Sequence, residues 1–388
     1  MCYSNIAMKK KILVTYVEAG LGHIVAAQAI LDALNMANDG SVEIVAKDIF
    51  KEDEQLINHE KFLISETKKA SSSPLYSSMQ LAFMRIIGSQ NTLNFVHSTV
   101  YKKQVKRYVE QLNKIKPDVI IDTHFFTSYA SIQYRNKYNP TCKVITYNPD
   151  NNVHGWWCRK VDYFIVNNDI AYRQALKAKF SPDKLKQVYF IARKDALNIS
   201  EDKELYRRKY GIPLDHFVVK IADGAYAKAK LESYVKELCK TAKPLTIVAI
   251  AGKNEQMYNK LMELKETMPP NVNLMPFGFV KDIYELFMAS DLFITKAGPN
   301  AVLDSVFMHT PVMINYWANK IEWTTNELFI KKLGCGVTIK DKVKAREFVE
   351  KCIDDKSILK PYIDNEKKID KTKNGATEVA AFVLDKIK

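Results

Sequence analysis

The chain has 388 residues, of which 47% are hydrophobic and 11% aromatic; this excludes an intrinsically disordered protein and allows two α/β domains with separate cores. The formal net charge of +14 favours anionic partners such as phosphate-bearing ligands or an anionic membrane surface, although solubilising surface lysines explain it equally well. The sequence has no zinc-finger spacing, no glycine-aromatic RNA motif and no arginine-rich arm, so we expect no nucleic-acid partner.

The cysteines and apolar runs indicate the compartment. Six cysteines are widely spaced and form no Cys-x-x-Cys pair, as expected in a reducing cytosol. No apolar run approaches the roughly 18 residues of a membrane-spanning helix, and the run after Lys9 and Lys10 is too short for a signal peptide. We therefore expect a cytoplasmic protein that contacts membranes only peripherally.

The first half of the chain has the pattern of a doubly wound α/β domain. Residues 12–17 predict a short buried strand, followed by a glycine turn over 18–23, a helix over 24–35 and a second strand over 42–46. Strand, turn, helix and strand in this order form a βαβ unit. Further strands are predicted over 119–121, 143–146 and 163–166.

The α/β pattern restarts in the second half, with strands predicted over 217–221, 245–251, 272–274, 292–294 and 311–314. Two successive patterns indicate two Rossmann-like, doubly wound domains, which we place at residues 1–195 and 196–388. The polar segment 194–208 is the expected linker. Residues 374–388 predict a terminal helix that could pack back on the first domain.

The apolar segment 74–101 contains one charged residue, Arg85, and leads into a lysine-rich stretch over 102–116. An apolar segment next to lysines is typical of an element that lies in a membrane surface. Composition alone favours an ordinary amphipathic core helix over this alternative.

Two histidines follow predicted strands of the first domain. Gly20, Gly22 and His23 form a strand-to-helix turn, where glycines allow close approach of a ligand to the backbone. Asp150 and His154 lie in the loop after the strand over 143–146, and a carboxylate and an imidazole at this spacing could orient one another for proton transfer. A lone histidine is more often structural.

The second domain offers a phosphate-type site. Lys296, Gly298 and Asn300 follow the strand over 292–294 and begin a helix, whose amides and dipole favour a diphosphate without a metal. Asp304 lies one turn into that helix, where a carboxylate can accept from sugar hydroxyls. The sequence contains no metal-ligand pattern above background, so we expect no metal.

Together, these motifs resemble those of the bacterial processive diacylglycerol glucosyltransferases and plant monogalactosyldiacylglycerol synthases, relatives of the peptidoglycan enzyme that adds N-acetylglucosamine to undecaprenyl lipid. The matching motifs are residues 20–23, 150–157, 251–254, 277–280 and 296–298. The resemblance implies a GT-B fold, in which the active site lies in the cleft between two Rossmann-like domains. It also implies that His23 is the general base, and that Asp150 and His154 assist on the acceptor side.

On the donor side, the resemblance implies that Phe279 and Val280 hold uracil and that Asp304 binds the ribose. The other residues that it assigns to the nucleotide sugar are Gly224, Asn254, Lys296, Gly298, Asn300, Glu322 and Asn326. Of these, Gly298 and Asn300 hold the diphosphate, while Glu322 and Asn326 recognise the sugar.

The function implied is an inverting, metal-independent transfer of a hexose from UDP-glucose or UDP-galactose to diacylglycerol or a related lipid. The UDP-sugar is a co-substrate and no cofactor is expected. The segment 74–101 then becomes a membrane-dipping element at the inner face of the cell membrane. Two alternatives stay open: a soluble or peptidoglycan-type UDP-sugar transferase of the same fold, and a non-catalytic nucleotide-sugar binder, which the shortened glycine turn at 223–225 would fit.

Overall fold

The computed structural model describes residues 9–18, 21–224, 229–316 and 320–387. The strands in this part of the chain are β1 (Lys10–Thr15), β2 (Val42–Lys47), β3 (Val119–Asp122), β4 (Lys143–Tyr147), β5 (Tyr163–Val166), β6 (Leu185–Gln187), β7 (Phe217–Ala222), β8 (Leu245–Ile250), β9 (Val272–Phe277), β10 (Leu292–Lys296), β11 (Val312–Tyr316) and β12 (Gly336–Thr338). The α-helices are α1 (Leu21–Ala37), α2 (Glu54–Ser72), α3 (Pro74–Ile87), α4 (Gln90–Thr99), α5 (Lys102–Ile115), α6 (Phe125–Lys137), α7 (Asp169–Lys177), α8 (Lys194–Leu197), α9 (Lys203–Lys209), α10 (Ala229–Leu238), α11 (Glu255–Lys265), α12 (Ile283–Met288), α13 (Pro299–Phe307), α14 (Lys320–Leu333), α15 (Lys342–Asp354), α16 (Lys360–Glu366) and α17 (Gly375–Ile387).

The chain divides into two compact units. Unit 1 comprises Met1–Arg193 and Lys373–Lys388, and unit 2 comprises Lys194–Thr372. Each unit has one six-stranded sheet, in the order β2-β1-β3-β4-β5-β6 in unit 1 and β12-β11-β10-β7-β8-β9 in unit 2. All neighbouring strands are parallel. The predicted α/β fold class of two doubly wound, Rossmann-like sheets is confirmed.

The strand order reverses once in each sheet, between β1 and β3 in unit 1 and between β7 and β10 in unit 2. At such a switch point, the connections leave the two neighbouring strands in opposite directions, which opens a crevice at their carboxyl ends. The loops after β1, β3, β7 and β10 are therefore the ones that the fold places at potential ligand sites.

All the strands that the sequence predicted are confirmed, whereas β6 and β12 were missed. Both missed strands have three residues and lie at a sheet edge. Such short segments carry too few residues to show a hydrophobic period, and pairing with β5 and β11 decides their conformation.

Three local predictions differ from the structure. Helix α1 begins at Leu21 rather than at residue 24, so Gly22 and His23 lie in its first turn. The segment 194–208, the expected linker, forms α8 and most of α9 at the start of unit 2. The segment 74–101 forms two helices, α3 and α4, which Gly88 and Ser89 separate.

The terminal helix α17 belongs to unit 1, where it packs on α1. Its apolar stripe is buried in the same cluster as Ile12 and Ile30; the stripe consists of Val379, Ala380, Val383 and Ile387. The Asn374 amide donates to the Ala192 carbonyl at 2.9 Å, and the Gly375 N–H donates to the Phe190 carbonyl at 3.1 Å. These bonds hold the start of α17 against the segment that leaves unit 1.

Gly375 permits this approach, because a Cβ at this position would lie 1.9 Å from the Tyr189 carbonyl oxygen. We expect Gly375→Ala to lower the free energy of unfolding of unit 1 by about 1–3 kcal/mol, as overpacking generally does. Thr377→Ala, on the exposed side of the same turn, is the matched control. Chemical denaturation followed by circular dichroism measures both, and equal stability of the two variants would contradict the prediction.

Candidate active site

Unit 1 brings two strand ends together through His23. Its Nδ1 lies 2.5 Å from the carbonyl oxygen of Thr123, which directly follows β3. The Thr123 hydroxyl donates to the His23 carbonyl at 3.3 Å. The start of α1 and the residue after β3 are therefore bonded to each other at the switch point of the sheet.

The Thr123 contact fixes the tautomer of His23. A carbonyl oxygen can only accept a hydrogen bond, so the proton of a neutral imidazole must lie on Nδ1. Nε2 then carries the free lone pair. Burial lowers the pKa of His23, and the ring is consequently neutral at pH 7. A neutral imidazole with a fixed lone pair is the state that a general base requires.

A third histidine, His124, was missed by the sequence interpretation. It caps α6, and its Nδ1 accepts from the Phe126 N–H at 3.2 Å, so its own proton lies on Nε2. The ring contacts His23 edge-on, with centroids 4.8 Å apart. Burial, followed by the charge that His23 would carry, holds the pKa of His124 well below its usual value. The sequence could have indicated His124 by its position just after β3. Residues that follow β3 and β1 lie together at the switch point of the sheet.

His154 lies near the same group, in the loop after β4. Its Nδ1 accepts from the Trp156 N–H at 3.3 Å, and its ring lies 5.5 Å from that of Phe125. Burial, with a smaller contribution from His23, lowers the pKa of His154 to about 4. The structure therefore places three neutral imidazoles at the carboxyl edge of one sheet.

Asp150 occupies the start of this loop. Burial raises the pKa of its carboxyl to about 6. The Asn148 amide donates to the carbonyls of Asp150 at 3.3 Å and of Asn152 at 2.7 Å, which shapes the loop. Among the described residues, no hydrogen bond joins the Asp150 side chain to His23 or His154. The expected carboxylate–imidazole pair is thus not formed in this structure.

The glycines of the N-terminal turn are only partly visible. Gly22 lies in the first turn of α1, next to His23. Gly20 lies outside the described residues.

Unit 2 brings a lysine to its own switch point. Gly224 follows β7 with a positive φ of 72°, and Lys296 is the last residue of β10. A Cβ on Gly224 would lie 3.6 Å from the Lys296 Nζ, so the ammonium lies against this turn. Within the part of unit 2 that the structure describes, no carboxylate pairs with Lys296. The cation remains available for an anionic ligand.

A helix begins beside this lysine. Gly298 is the N-cap of α13, Pro299 occupies the first helical position and Asn300 follows it. Proline costs no hydrogen bond at this position, because the first amides of a helix have no intrahelical partner. A helix start and an ammonium at one strand end together favour a phosphate group.

Two predicted sugar-binding residues also support this loop. The Asn326 amide is buried and donates to the Ala297 carbonyl at 2.9 Å, which fixes the turn between β10 and α13. Asp304 Oδ1 accepts from the buried Tyr284 hydroxyl at 2.8 Å, which fixes the position of this carboxylate on α13. Glu322 lies in α14, one turn before Asn326, but its side chain is outside the described residues.

The remaining donor-side residues lie after β8 and β9. Asn254 caps α11 by accepting from the Met257 N–H at 3.0 Å, so it has a structural role at this helix. Phe279 follows β9 with 59% of its surface exposed, and Val280 beside it is half-buried. An exposed aromatic ring at the carboxyl edge of a sheet is available for stacking on a base.

Neither a metal cluster nor a membrane span emerges from the described ranges. No group of three or more His, Cys, Asp or Glu residues among them could hold a metal ion. No helix formed by these residues is both long and apolar enough to cross a bilayer.

Comparison with known proteins identifies the family. The family model "Monogalactosyldiacylglycerol (MGDG) synthase" matches residues 23–188, and "Glycosyltransferase family 28 C-terminal domain" matches residues 227–381. Each model covers one α/β pattern, and together they match most of the chain. The chain thus joins an MGDG synthase domain to a glycosyltransferase family 28 C-terminal domain.

Members of this family are among the similar sequences. A "Processive diacylglycerol beta-glucosyltransferase" of Bacillus pumilus is 24% identical over 368 residues, which covers 93% of this chain and 91% of the relative. The protein of the same name in Bacillus mycoides is 27% identical over 240 residues, or 61% of this chain and 60% of the relative.

Solved structures of glycosyltransferases share the GT-B fold with this chain. MurG of Acinetobacter baumannii superposes with a TM-score of 0.60 at 13% identity, covering 97% of this chain and 99% of that one. Anabaena HepE, crystallised in complex with UDP-glucose, gives a TM-score of 0.55 at 13% identity over 97% and 99% of the two chains. At this identity the likeness establishes the fold alone.

The tautomers and pKa values of the three imidazoles can be measured directly. We expect ¹⁵N-histidine NMR at pH 7 to show His23 with its proton on Nδ1, and His124 and His154 with theirs on Nε2. At pH 5 an ordinary imidazole with a pKa of about 6.5 is mostly charged, whereas His154, with a pKa of about 4, should stay neutral. His154→Gln assigns its signal. If the His154 imidazole titrates near pH 6.5, the site is more exposed to water than the structure indicates.

Proposed function

We propose that this protein transfers a hexose from a UDP-sugar to diacylglycerol or a related lipid, with inversion at the anomeric carbon. The observation that carries the proposal is the Nε2 lone pair of a neutral His23, held by the Thr123 carbonyl at the switch point of unit 1. The acceptor lipid is suggested by the Bacillus pumilus relative, whose name specifies diacylglycerol. The UDP-sugar is suggested by HepE, a structure of the same fold in complex with UDP-glucose.

In the proposed reaction, His23 Nε2 removes the proton from the acceptor hydroxyl as its oxygen attacks the anomeric carbon. The new carbon–oxygen bond forms on the face opposite the bond to the diphosphate, which breaks and leaves UDP. In-line displacement converts an α-linked donor into a β-linked product. His23 finishes the step as an imidazolium, and the proton passes to solvent.

The leaving UDP accumulates negative charge, which unit 2 is suited to stabilise. The Lys296 ammonium beside Gly224 and the free amides at the start of α13 are both complementary to a diphosphate. Asp304, whose carboxylate Tyr284 holds in place on α13, is the proposed acceptor for the ribose hydroxyls. The exposed Phe279 ring, with Val280, offers a stacking surface for uracil.

His154 and Asp150 assist on the acceptor side of this proposal. His154 keeps its Nε2 proton, so it can donate a hydrogen bond to the lipid oxygen while His23 accepts one. Asp150, whose pKa is raised to about 6, can accept from a second hydroxyl of the acceptor.

The lipid acceptor implies a membrane surface, and unit 1 has a matching region. Helix α3 exposes one apolar stripe of Leu75, Met79, Phe83 and Ile86, and α4 exposes Phe95. Helix α5, next in the chain, exposes several lysines. We infer that the apolar face of α3 and α4 enters the anionic headgroup region at the inner face of the cell membrane. The lysines of α5 then lie above this face.

The transfer reaction tests the proposal directly. We expect the purified protein to transfer radiolabelled hexose from UDP-glucose or UDP-galactose to diacylglycerol in mixed micelles. His23→Ala should lower kcat by about 10²–10⁴-fold, the usual contribution of a general base. His216→Ala, which changes a histidine of unit 2 outside both sites, should retain the rate. Full activity of His23→Ala would refute the assignment of the base, and absence of transfer by the wild type would refute the function.

Membrane binding is tested with vesicles of anionic and of neutral phospholipid. We expect anionic vesicles to capture the protein and salt to release it, because screening weakens the attraction of the α5 lysines. Ile86→Ser should weaken capture about ten-fold through lost apolar burial. The control is Met36→Ser, since Met36 on α1 is exposed at 76% and Ile86 at 79%. Equal losses in the two variants, or capture that ignores salt, would contradict the predicted surface.

A further inference from the structure

One side chain connects the apolar helices to the loop that carries His154. Gln90, in the first turn of α4, donates from Nε2 to the carbonyls of Gly155 at 3.3 Å and Trp157 at 3.1 Å. Its Oε1 accepts from the Arg159 N–H at 2.9 Å. A single amide thus binds three backbone groups in a segment that lies more than sixty positions further along the chain.

Two further contacts join the same elements. A Cβ on Gly155 would lie 2.8 Å from the carbonyl oxygen of Gly88, so the loop and the corner between α3 and α4 touch through their backbones. The rings of Phe83 and Trp156 lie edge to face, with centroids 6.5 Å apart. Gln90 supplies the directional bonds of this contact, because the other two are van der Waals contacts.

The loop is also anchored on its other side. The Val153 N–H donates to Oε1 of Gln174 on α7 at 2.8 Å. His154 therefore lies between two glutamine anchors, one on α7 and the other on α4. Its Nδ1 in turn accepts from Trp156, a residue inside the span that Gln90 holds. The backbone on the two sides of His154 is therefore bonded to two different helices.

Exposed aromatic rings lie on both sides of Gln90 along the chain, Phe83 on α3 and Phe95 on α4. Phe83 and Phe95 flank Gln90 along the chain and are 55% and 64% exposed, whereas Gln90 itself is half-buried. If these rings insert into a lipid surface, the insertion would displace the corner between α3 and α4. Gln90 bonds this corner to the His154 loop.

We propose that Gln90 is a positioning residue, which transmits lipid engagement by α3 and α4 to the His154 loop and so sets the geometry of the acceptor site. This inference rests on the proposed function for its kinetic consequence. The contacts that carry it do not depend on the reaction, so they can be tested without turnover.

The kinetic test compares Gln90→Met with Asn91→Ala. Methionine preserves the length of the side chain but removes all three hydrogen bonds, whereas Asn91 is exposed in the same helical turn and serves as the control. With diacylglycerol in anionic vesicles, Gln90→Met should lower kcat/KM for the lipid about ten-fold, a typical coupling between two sites. KM for the UDP-sugar should stay unchanged, because the donor residues belong to unit 2.

The second test is spectroscopic. In a Trp317→Phe/Trp323→Phe background, the remaining tryptophans are Trp156 and Trp157 in the loop. We expect phosphatidylglycerol vesicles to shift the fluorescence emission of Trp156 and Trp157 in the protein that retains Gln90. In Gln90→Met the shift should be lost, while vesicle capture remains the same. Gln90→Glu, which keeps the shape and replaces both donors with a carboxylate oxygen, should act in the same direction and covers the case in which Gln90→Met unfolds.

The outcomes separate this inference from the proposed function. If hexose transfer occurs but Gln90→Met and Gln90→Glu keep both the rate and the emission shift, the coupling is refuted. If the wild type transfers no hexose to diacylglycerol yet the emission shift depends on Gln90, the coupling stands and the proposed function fails.

Discussion

Parallel strands all end at one edge of their sheet, and at the point of order reversal two neighbouring strands send their chains in opposite directions. This constraint determines where chemistry can occur in both units. In unit 1 it brings the loop after β1 against the loop after β3, where His23 bonds to Thr123. In unit 2 it brings Gly224, after β7, against Lys296, at the end of β10. Two sheets with the same reversal of strand order therefore hold a buried imidazole and an ammonium group, respectively.

Burial of the imidazoles then decides their chemistry. Three histidines that share one sheet edge would repel each other if charged, and desolvation already keeps them neutral. Each Nδ1 is hydrogen-bonded to the backbone, but its partner is a carbonyl oxygen for His23 and an N–H for His124 and His154. The three rings therefore do not share one tautomer. His23 alone donates through Nδ1 and retains its Nε2 lone pair. The backbone, rather than a carboxylate such as Asp150, thus sets up the candidate base.

The apolar helices α3 and α4 contact the candidate site directly. Gln90, Gly88 and Phe83 attach them to the loop of His154, so the exposed apolar surface and this buried imidazole belong to one connected structure. A transferase that acts on a membrane-embedded substrate benefits from such a connection, because acceptor binding can then follow membrane contact.

The sequence by itself determined ten of the twelve described strands and the loops at their carboxyl ends, because buried parallel strands are short, β-branched apolar runs. His23, Lys296 and Gly298 were found in this way. Only the tertiary structure revealed β6 and β12, whose conformation depends on edge pairing, and the place of α17 on α1. It also decided the tautomers of the histidines and the contacts of Gln90. Hydrogen bonds between residues far apart in the chain leave no periodicity in a single sequence, so local patterns could not predict them.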